Sequence, residues 1–259
     1  MSKARSDFDG RVAVITGAGG GIGSAVARQF SAAGAALCLC DVAAPEELAA
    51  ELRAGGGRAV ALAADVTRKA DVEAVVARAR SEFGRIDILV PVAGVTSFGD
   101  VETLEEAEWD RVVGINLKGV FLTCQAVIPA MRAAGYGRIV TIGSVLGKNG
   151  GNPRPWIDRS EQKSAANAAY GAAKAGVHAL TLYLAKELSA DGITVNCVAP
   201  GPIASAMTRG LPARLVEAIP VGRMGTADEV ADAVLYLAGE RAGFVTGEVL
   251  DVNGGIWVD

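Results

Sequence analysis

Short apolar runs alternate along the chain with longer segments of helical periodicity. The runs are rich in Val, Ile, Leu and Ala at successive positions, which is typical of parallel strands covered on both faces by helices. Five strands are predicted in this way, at residues 11–16, 35–41, 59–65, 86–93 and 138–143. Two more are predicted at 194–198 and 248–252.

The segments between these runs carry apolar residues at helical spacing. In the first segment Ile22, Val26 and Phe30 share one face. Repeated strand–helix–strand units with right-handed crossovers form a doubly wound sheet that binds ligand at the carboxyl ends of its strands. We therefore predict one α/β domain over 1–259, a Rossmann fold with a mostly seven-stranded parallel sheet and helices on both faces. The predicted helices span 21–33, 45–54, 69–83, 104–133 and 165–190.

The composition supports a folded protein and argues against two kinds of partner. The 259 residues are 51% hydrophobic, with a mean hydropathy of +0.31, which is enough apolar surface for a sizeable core. With 25 basic and 29 acidic residues, the net charge of −4 provides no basic excess for nucleic acid. The longest uncharged run, 192–208, is interrupted by Asn196, Pro200 and Pro202, and the first ten residues lack a signal core. We expect neither a nucleic-acid nor a membrane partner.

The four cysteines and the single histidine offer little for a metal site. Cys38, Cys40, Cys124 and Cys197 include no C-x-x-C pair, so a zinc ribbon is excluded and no metal is predicted. We expect these cysteines to be reduced core residues of a cytoplasmic protein.

A glycine-rich segment, TGAGGGIG at 16–23, follows the first predicted strand and opens the first helix. Glycine lets the backbone approach a pyrophosphate closely, and a helix N-terminus offers free N–H groups. The strict G-x-G-x-x-G spacing fails because position 22 is Ile, and a tight strand–helix turn is the alternative. We predict that a dinucleotide binds to Gly17, Gly19, Gly20, Gly21, Ile22 and Gly23.

Asp41 ends the second predicted strand, where a carboxylate can accept both ribose hydroxyls of an adenosine. It would repel a 2′-phosphate at roughly 4 Å by about 1–4 kcal/mol. No Lys or Arg stands at 18–21 or 42–44 to offset this repulsion. NAD is therefore predicted over NADP by roughly ten- to a thousandfold. The alternative is that Asp41 only caps the following turn.

Tyr170 and Lys174 lie four residues apart in a long helical segment, so their side chains share one face. A tyrosine normally loses its proton near pH ~10, and a nearby ammonium favours the phenolate. The pair therefore indicates a general acid/base for an alcohol and its ketone. A chance pair on an exposed helix is the alternative.

Ordered motifs over nearly the whole chain resemble the short-chain dehydrogenase/reductase family. They are T-G-x-x-x-G-I-G at 16–23, Asn116, Ser144, and Tyr170 with Lys174. Further matches lie at 65–66, 200–203, 245–247 and 251–255. The resemblance implies a homotetramer and a small-molecule alcohol or ketone as substrate.

The resemblance also implies roles for individual residues. Tyr170 would be the proton donor and acceptor, Lys174 would lower its pKa and bind the nicotinamide ribose, Ser144 would hydrogen-bond the substrate oxygen, and Asn116 would hold a water that links Lys174 to solvent. Further cofactor contacts are implied for Asp65 and Val66 beside the adenine, for Val92, Ala93 and Gly94, and for Pro200, Gly201, Ile203 and Ser205 towards the nicotinamide.

Two segments depart from the family pattern. Residues 91–94 read Pro-Val-Ala-Gly where the family commonly has Asn-Asn-Ala-Gly, so two side-chain hydrogen-bonding groups are lost. From Ser144 to Tyr170 there are 26 positions, about twice the family's usual spacing. We expect the inserted segment 148–164 to lie beside the active site and form a rim on which Arg154 or Trp156 touches substrate; the alternative is a solvated loop.

These features predict an NAD-dependent oxidoreductase that interconverts a secondary alcohol and a ketone by hydride transfer. One alternative is a reductase of 3-oxoacyl thioesters on acyl carrier protein or CoA, a group that generally uses NADPH. A second is a non-catalytic NAD(H) sensor or scaffold on the same fold. His178 is interpreted as a structural or interface residue.

Overall fold

The computed structural model describes residues 7–151, 165–205 and 216–258. Its strands are β1 Val12–Thr16, β2 Ala36–Asp41, β3 Arg58–Ala63, β4 Ile88–Pro91, β5 Gly137–Ile142, β6 Ile193–Pro200 and β7 Val249–Val252. They form one sheet in the order β3-β2-β1-β4-β5-β6-β7, and each neighbouring pair is parallel. The predicted doubly wound sheet is confirmed, and the strand order reverses between β1 and β4.

The helices fill the connections between strands. They are α1 Gly21–Ala32, α2 Glu46–Ala54, α3 Lys69–Phe83, α4 Glu106–Val113, α5 Gly119–Ala134, α6 Leu146–Asn149, α7 Ala168–Leu188 and α8 Ala227–Ala238. Helix α8 was not among the predicted helices, although its capping box of Thr226 and Glu229 is a readable start signal before an apolar run. Short 3₁₀ turns follow α7 and α8, at Ser189–Asp191 and Glu240–Ala242.

Alternate strand residues enter two separate cores, one on each face of the sheet. In β1, Ala13 and Ile15 pack with α1, α2 and α8, whereas Val14 packs with α3, α5 and α7. In β2, Cys38 and Cys40 face the second core, which confirms their interpretation as buried core residues. This two-sided burial is the physical reason that the strands are apolar at successive positions.

The single helix predicted at 104–133 is two α-helices joined by a π-helical segment, Gly114–Lys118. A π segment inserts a residue into the helical repeat and is frequent at functional sites. The run Glu106–Ala134 has the length and composition of a membrane span, a test that core helices of soluble proteins also pass. Its buried residues Val120, Val127 and Met131 pack in the second core.

The sheet opens between β4 and β5. Their ladder contains the pairs Ile88–Arg138 and Leu89–Ile139, whereas β4 stays paired with β1 as far as Thr16–Pro91. The strand predicted at 86–93 therefore ends at Pro91, and the chain then leaves the sheet. A proline is tolerated here because β4 has already separated from β5.

Candidate active site

A cleft of about 1140 Å³ lies where the strands end and the sheet opens. It exceeds the roughly 300–1,000 Å³ of pockets that hold drug-sized ligands, so a dinucleotide and a substrate can share it. The structure brings all predicted site residues except Gly19 and Asn116 into its lining. The predicted residues that line the cleft are Gly17, Gly20, Gly21, Ile22, Gly23, Asp41, Asp65, Val66, Val92, Ala93, Gly94, Ser144, Tyr170, Lys174, Pro200, Gly201, Ile203 and Ser205.

The glycine loop needs its glycines for two different reasons. Gly17 has a φ of 65°, and a Cβ there would lie 2.5 Å from the Ala93 nitrogen. A Cβ on Gly23 would collide with the Gly17 carbonyl. Helix α1 begins after Gly20 without a side-chain cap and without an acidic residue in its first turn. Its free N–H groups and positive dipole end therefore fit a pyrophosphate.

Two carboxylates, those of Asp41 and Asp65, line the cleft. Asp41 accepts hydrogen bonds from the N–H of Gly19 at 3.0 Å and of Val42 at 2.7 Å. Gly19 therefore contacts Asp41 and does not itself line the cleft. Asp65 accepts from the Thr67 hydroxyl and N–H, and these bonds lower its pKa below the usual value. Both carboxylates are fixed by backbone donors before any nucleotide arrives.

Ser144 and Tyr170 bring two hydroxyls into the cleft lining. The Ser144 side chain interacts with that of Tyr170, and Ser144 Oγ accepts the Leu146 N–H at 3.1 Å. Ser144 follows β5, and Tyr170 lies in the first turn of α7, whose N-cap Asn167 accepts the Tyr170 N–H. Burial raises the pKa of Tyr170 above its ordinary value, and the interaction with Ser144 opposes that rise.

Lys174 lies one turn beyond Tyr170, with its ammonium 5.9 Å from the centre of the tyrosine ring. Its Nζ donates to the Ile142 carbonyl at 2.8 Å. Desolvation by burial lowers its pKa to about 8. The expectation that Lys174 depresses the pKa of Tyr170 is therefore wrong for the chain by itself: the pKa of Tyr170 is raised, because its burial outweighs the favourable interactions.

Asn116 is fully buried in the π segment behind the cleft. Its Oδ1 accepts the Val95 N–H and its Nδ2 donates to the Val95 carbonyl, each at 2.8 Å. A Cβ on Gly94 would lie 2.9 Å from Asn116 Oδ1 and 3.7 Å from Lys174 Nζ. Asn116 is thus beside Lys174 and fixes the backbone that follows β4.

Backbone contacts replace the missing side chains at 91–94. The Val92 N–H donates to the Thr16 carbonyl at 3.2 Å, and the Ala93 N–H donates to the Thr16 hydroxyl at 3.3 Å. Thr16 ends β1, so the loops that follow β1 and β4 are tied together. The departure from the family pattern therefore leaves this wall of the cleft intact.

One wall of the cleft is formed by the segment that follows β4. Phe98 lines the cleft, half of its surface is exposed, and it bridges Ala166. Asn167 ties the wall together by donating to the Ser97 hydroxyl at 2.7 Å. No local sequence pattern indicates this hydrogen bond, because Ser97 and Asn167 are 70 positions apart. Residues Arg154 and Trp156 of the predicted rim lie outside the described residues.

The chain matches, over residues 17–257, the family model described as Enoyl-(Acyl carrier protein) reductase. It is 39% identical to the 3-oxoacyl-[acyl-carrier-protein] reductase FabG of Escherichia coli strain K12, covering 97% of this chain and 99% of that protein. It is 41% identical to the cis-4-hydroxycyclohexanecarboxylate dehydrogenase of Sinomonas cyclohexanicum, covering 96% and 97%.

Two further similarities extend this range. The chain is 42% identical to the (2S)-[(R)-hydroxy(phenyl)methyl]succinyl-CoA dehydrogenase subunit BbsD of Thauera aromatica, covering 95% and 96% of the two chains. The crystal structure of gox2181 superposes with a TM-score of 0.88 at 34% identity over 96% of each chain. The names of the three enzymes state different carbon skeletons, so the similarity alone does not select a substrate.

Proposed function

Because the chain belongs to the short-chain dehydrogenase/reductase family, and is therefore an oxidoreductase of the NAD(P)(H)-dependent kind, we propose that it interconverts a secondary alcohol and a ketone. One observation carries the proposal. The side chains of Ser144 and Tyr170 line the same cleft as the glycine loop, with Lys174 one turn beyond Tyr170.

The residues of the cleft divide the chemistry between them. A bound oxidised nicotinamide supplies the hydride acceptor and a positive charge. Tyr170 as its phenolate takes the proton of the substrate alcohol or, in the reverse direction, donates its hydroxyl proton to the ketone oxygen. The Ser144 hydroxyl, whose oxygen accepts the Leu146 N–H, has its own proton to donate to the same substrate oxygen. Lys174, held on the Ile142 carbonyl, keeps a positive charge close to the ring.

NAD is the cofactor that the adenosine side of the cleft favours. Asp41 lies in the cleft lining with both oxygens held by backbone N–H groups, so the carboxylate is fixed where an adenosine ribose would lie. A fixed negative charge accepts ribose hydroxyls and repels a 2′-phosphate. We propose NAD over NADP on this ground, although 3-oxoacyl thioester reductases generally use NADPH.

The test is a substrate panel assayed with each cofactor in both directions. The panel contains alicyclic hydroxy acids, polyols, steroids, and hydroxyacyl thioesters of CoA and acyl carrier protein. Turnover of one free alcohol class with NAD supports the proposal. Turnover of thioesters alone, or larger kcat/KM with NADP than with NAD throughout, contradicts it.

A 3-oxoacyl thioester reductase is the second candidate function. It is favoured by the 39% identity with the 3-oxoacyl-[acyl-carrier-protein] reductase over nearly the full length of both chains. The same hydroxyl pair serves both reactions, because a 3-oxo group is a ketone. The thioester and free-alcohol arms of the panel separate the two candidates directly.

A non-catalytic sensor would bind cofactor without needing a reactive phenol. Tyr170→Phe removes the hydroxyl while keeping the ring, so an enzyme loses turnover and retains cofactor binding. Phe98→Tyr is a useful companion, because it adds a phenol to the same cleft at a position with no proposed chemical role. If the wild type shows no turnover with any member of the panel and still binds NAD, the sensor interpretation replaces the enzyme.

We also propose a homotetramer in the cytoplasm. Trp109, Phe121 and Tyr183 expose 39%, 42% and 77% of their surface on α4, α5 and α7. They are therefore not core residues, and their exposure on long helices fits burial between subunits. Sedimentation of the purified protein tests this, and a monomer at micromolar concentration would contradict it.

A further inference from the structure

The early end of the β4–β5 ladder leaves backbone groups of β5 without a strand beside them. The Gly143 N–H donates to Val198 at 2.8 Å and the Val145 N–H donates to Pro200 at 3.0 Å, so both face β6. Backbone direction alternates along an extended chain, and the intervening Ser144 N–H therefore faces the side that β4 has left. A buried N–H on that side requires a partner of another kind.

Helix α7 supplies the partners from its inner face. The Lys174 ammonium donates to the Ile142 carbonyl at 2.8 Å, and the Ser144 N–H donates to Nε2 of His178 at 3.3 Å. The carbonyl of one residue and the N–H of the second residue after it are the two groups that a neighbouring parallel strand would use. Lys174 and His178, one helical turn apart, thus take the place of that strand.

The backbone makes room for the imidazole at two glycines. A Cβ on Gly143 would collide with His178 Nε2, and a Cβ on Gly147 would lie 2.9 Å from His178 Cε1. The ring is buried, at 9% exposure, directly beneath the turn that carries Ser144. His178 is accordingly a neighbour of Ser144 and not a surface residue of α7.

We propose that His178 is a positioning residue that fixes the Ser144 backbone, and through it the Ser144 hydroxyl, against Tyr170. The catalytic part of this inference rests on the proposed function, since it assumes that Ser144 contacts substrate. An imidazole that accepts a hydrogen bond at Nε2 is neutral and carries its proton on Nδ1. This neutral form also avoids placing a second cation next to Lys174.

The tautomer is measurable without any assay, because the chain contains a single histidine. Untagged protein labelled with ¹⁵N-histidine gives one pair of imidazole nitrogen signals, so the signals need no assignment to a residue. We expect an unprotonated Nε2 and a protonated Nδ1 at neutral pH. A proton on Nε2 overturns the proposal whether or not a substrate has been found.

Two substitutions of similar size separate the acceptor from the volume it fills. His178→Gln places an amide oxygen within reach of the Ser144 N–H, whereas His178→Leu fills similar space without an acceptor. We expect His178→Leu to lower kcat by about ten- to a hundredfold, with the Kd for cofactor unchanged, because small misplacements of a reacting group carry costs of this size. His178→Gln is expected to recover most of the loss.

Thr181→Val is the matched control on the same face of α7. Thr181 is fully buried and its hydroxyl bonds Thr141 at 2.8 Å, one turn further from Ser144. The Thr181→Val variant should have a lower Tm and a kcat within about twofold of the wild-type value. Equal kcat values for the Leu, Gln and wild-type proteins would overturn the positioning role, as would a loss in Thr181→Val that matches the loss in His178→Leu. A wild type that turns over nothing refutes the proposed function, and the nitrogen signals still decide how His178 contacts Ser144.

Discussion

The two ends of the sheet both bury charge, and they do so in opposite ways. At the amino end Asp87 is 1% exposed and accepts from Arg11 at 3.1 Å, from Arg85 at 2.6 Å and from the Val12 N–H at 2.9 Å. The guanidinium of Arg11 also stacks over the ring of Tyr136, with its central carbon 3.8 Å from the ring centre. At the carboxyl end the Lys174 ammonium is buried on a neutral carbonyl.

The difference shows in the protonation of each group. The carboxylates beside Arg11 contribute to raising its pKa, so its charge is stabilised by the fold. Burial lowers the pKa of Lys174 to about 8, so its charge is held at a cost. A charge held at a cost is available to stabilise a developing negative charge in the cleft. The charges at the amino end therefore stabilise the protein, whereas the Lys174 charge at the carboxyl end is kept at a cost in desolvation, as the proposed function requires.

Removing the Lys174 charge should have the largest effect on activity. Lys174→Met is expected to lower kcat by roughly a hundred- to a thousandfold, the size found when one electrostatic donor is removed from an active site. Lys186→Met is the matched control, because Lys186 is exposed on the same helix. Steady-state kinetics of the two variants measure the difference. A wild-type kcat for Lys174→Met would contradict the proposed contrast between the two ends of the sheet.

Removing the Asp87 charge should lower the stability of the protein and leave its activity unchanged. Asp87→Asn leaves two arginines without their shared buried carboxylate, and we expect the free energy of unfolding to fall by about 2–3 kcal/mol, less than for a fully buried pair because both arginines reach solvent. Activity of the folded fraction should be unchanged. Glu240→Gln, which alters an exposed partner of the same Arg11, should cost less than about 0.5 kcal/mol. Urea unfolding measures both values, and equal losses would contradict the distinction.

Features that lie within one element or one turn could be predicted from the sequence. The strands, the glycine loop, Asp41 and the face shared by Tyr170 and Lys174 follow from patterns within one element or one turn. The structure places each of these as the sequence predicts, and strand ends shift by at most a few residues. Local periodicity and turn chemistry are enough for such features.

Features that depend on where a ladder stops could not be predicted. The contact between Ser144 and His178 joins residues 34 positions apart and requires that β4 separate from β5 after Leu89. The spacing of Tyr170 and Lys174 gives their common face, but it does not show that the Ile142 carbonyl holds the ammonium. The expected fall in the pKa of Tyr170 is absent because burial of the phenol raises that pKa. The π segment at Gly114–Lys118 likewise has no periodic signature within the predicted helix.

The pH dependence of stability sharpens the comparison further. The pKa of Lys174 is about 8 in the folded protein and 10.5 when unperturbed, so between these values the unfolded chain binds more protons. The free energy of unfolding therefore rises with pH through this group, by about 1.4 kcal/mol between pH 7 and pH 9. The buried cysteines act oppositely above pH 9, because burial raises the pKa of Cys197, for example, from 9.0 to about 11.

Subtracting the curve of Lys174→Met isolates the lysine, since the cysteines are common to both proteins. The wild-type free energy of unfolding minus that of the variant should increase from pH 7 to pH 9. Denaturant unfolding at several pH values measures this difference. A flat or falling difference would show that the ammonium is held without cost, and the contrast with Asp87 would disappear.

The smallest expected effect concerns a charge at the carboxyl end that remains accessible to solvent. Asp41→Asn removes the negative charge and keeps one oxygen for the backbone N–H groups that now bond the carboxylate. Because the cleft is open to water, the repulsion of a 2′-phosphate lies at the low end of its range, about 1 kcal/mol. The ratio of kcat/KM for NADP to that for NAD should therefore rise by about fivefold. Asp65→Asn is the control: Asp65 also lines the cleft, but the contact expected for it is with the adenine and not with the ribose that carries the 2′-phosphate, so the ratio should stay within about twofold. If both variants shift the ratio equally, the effect comes from the overall charge of the cleft, and Asp41 is not the group that selects the cofactor.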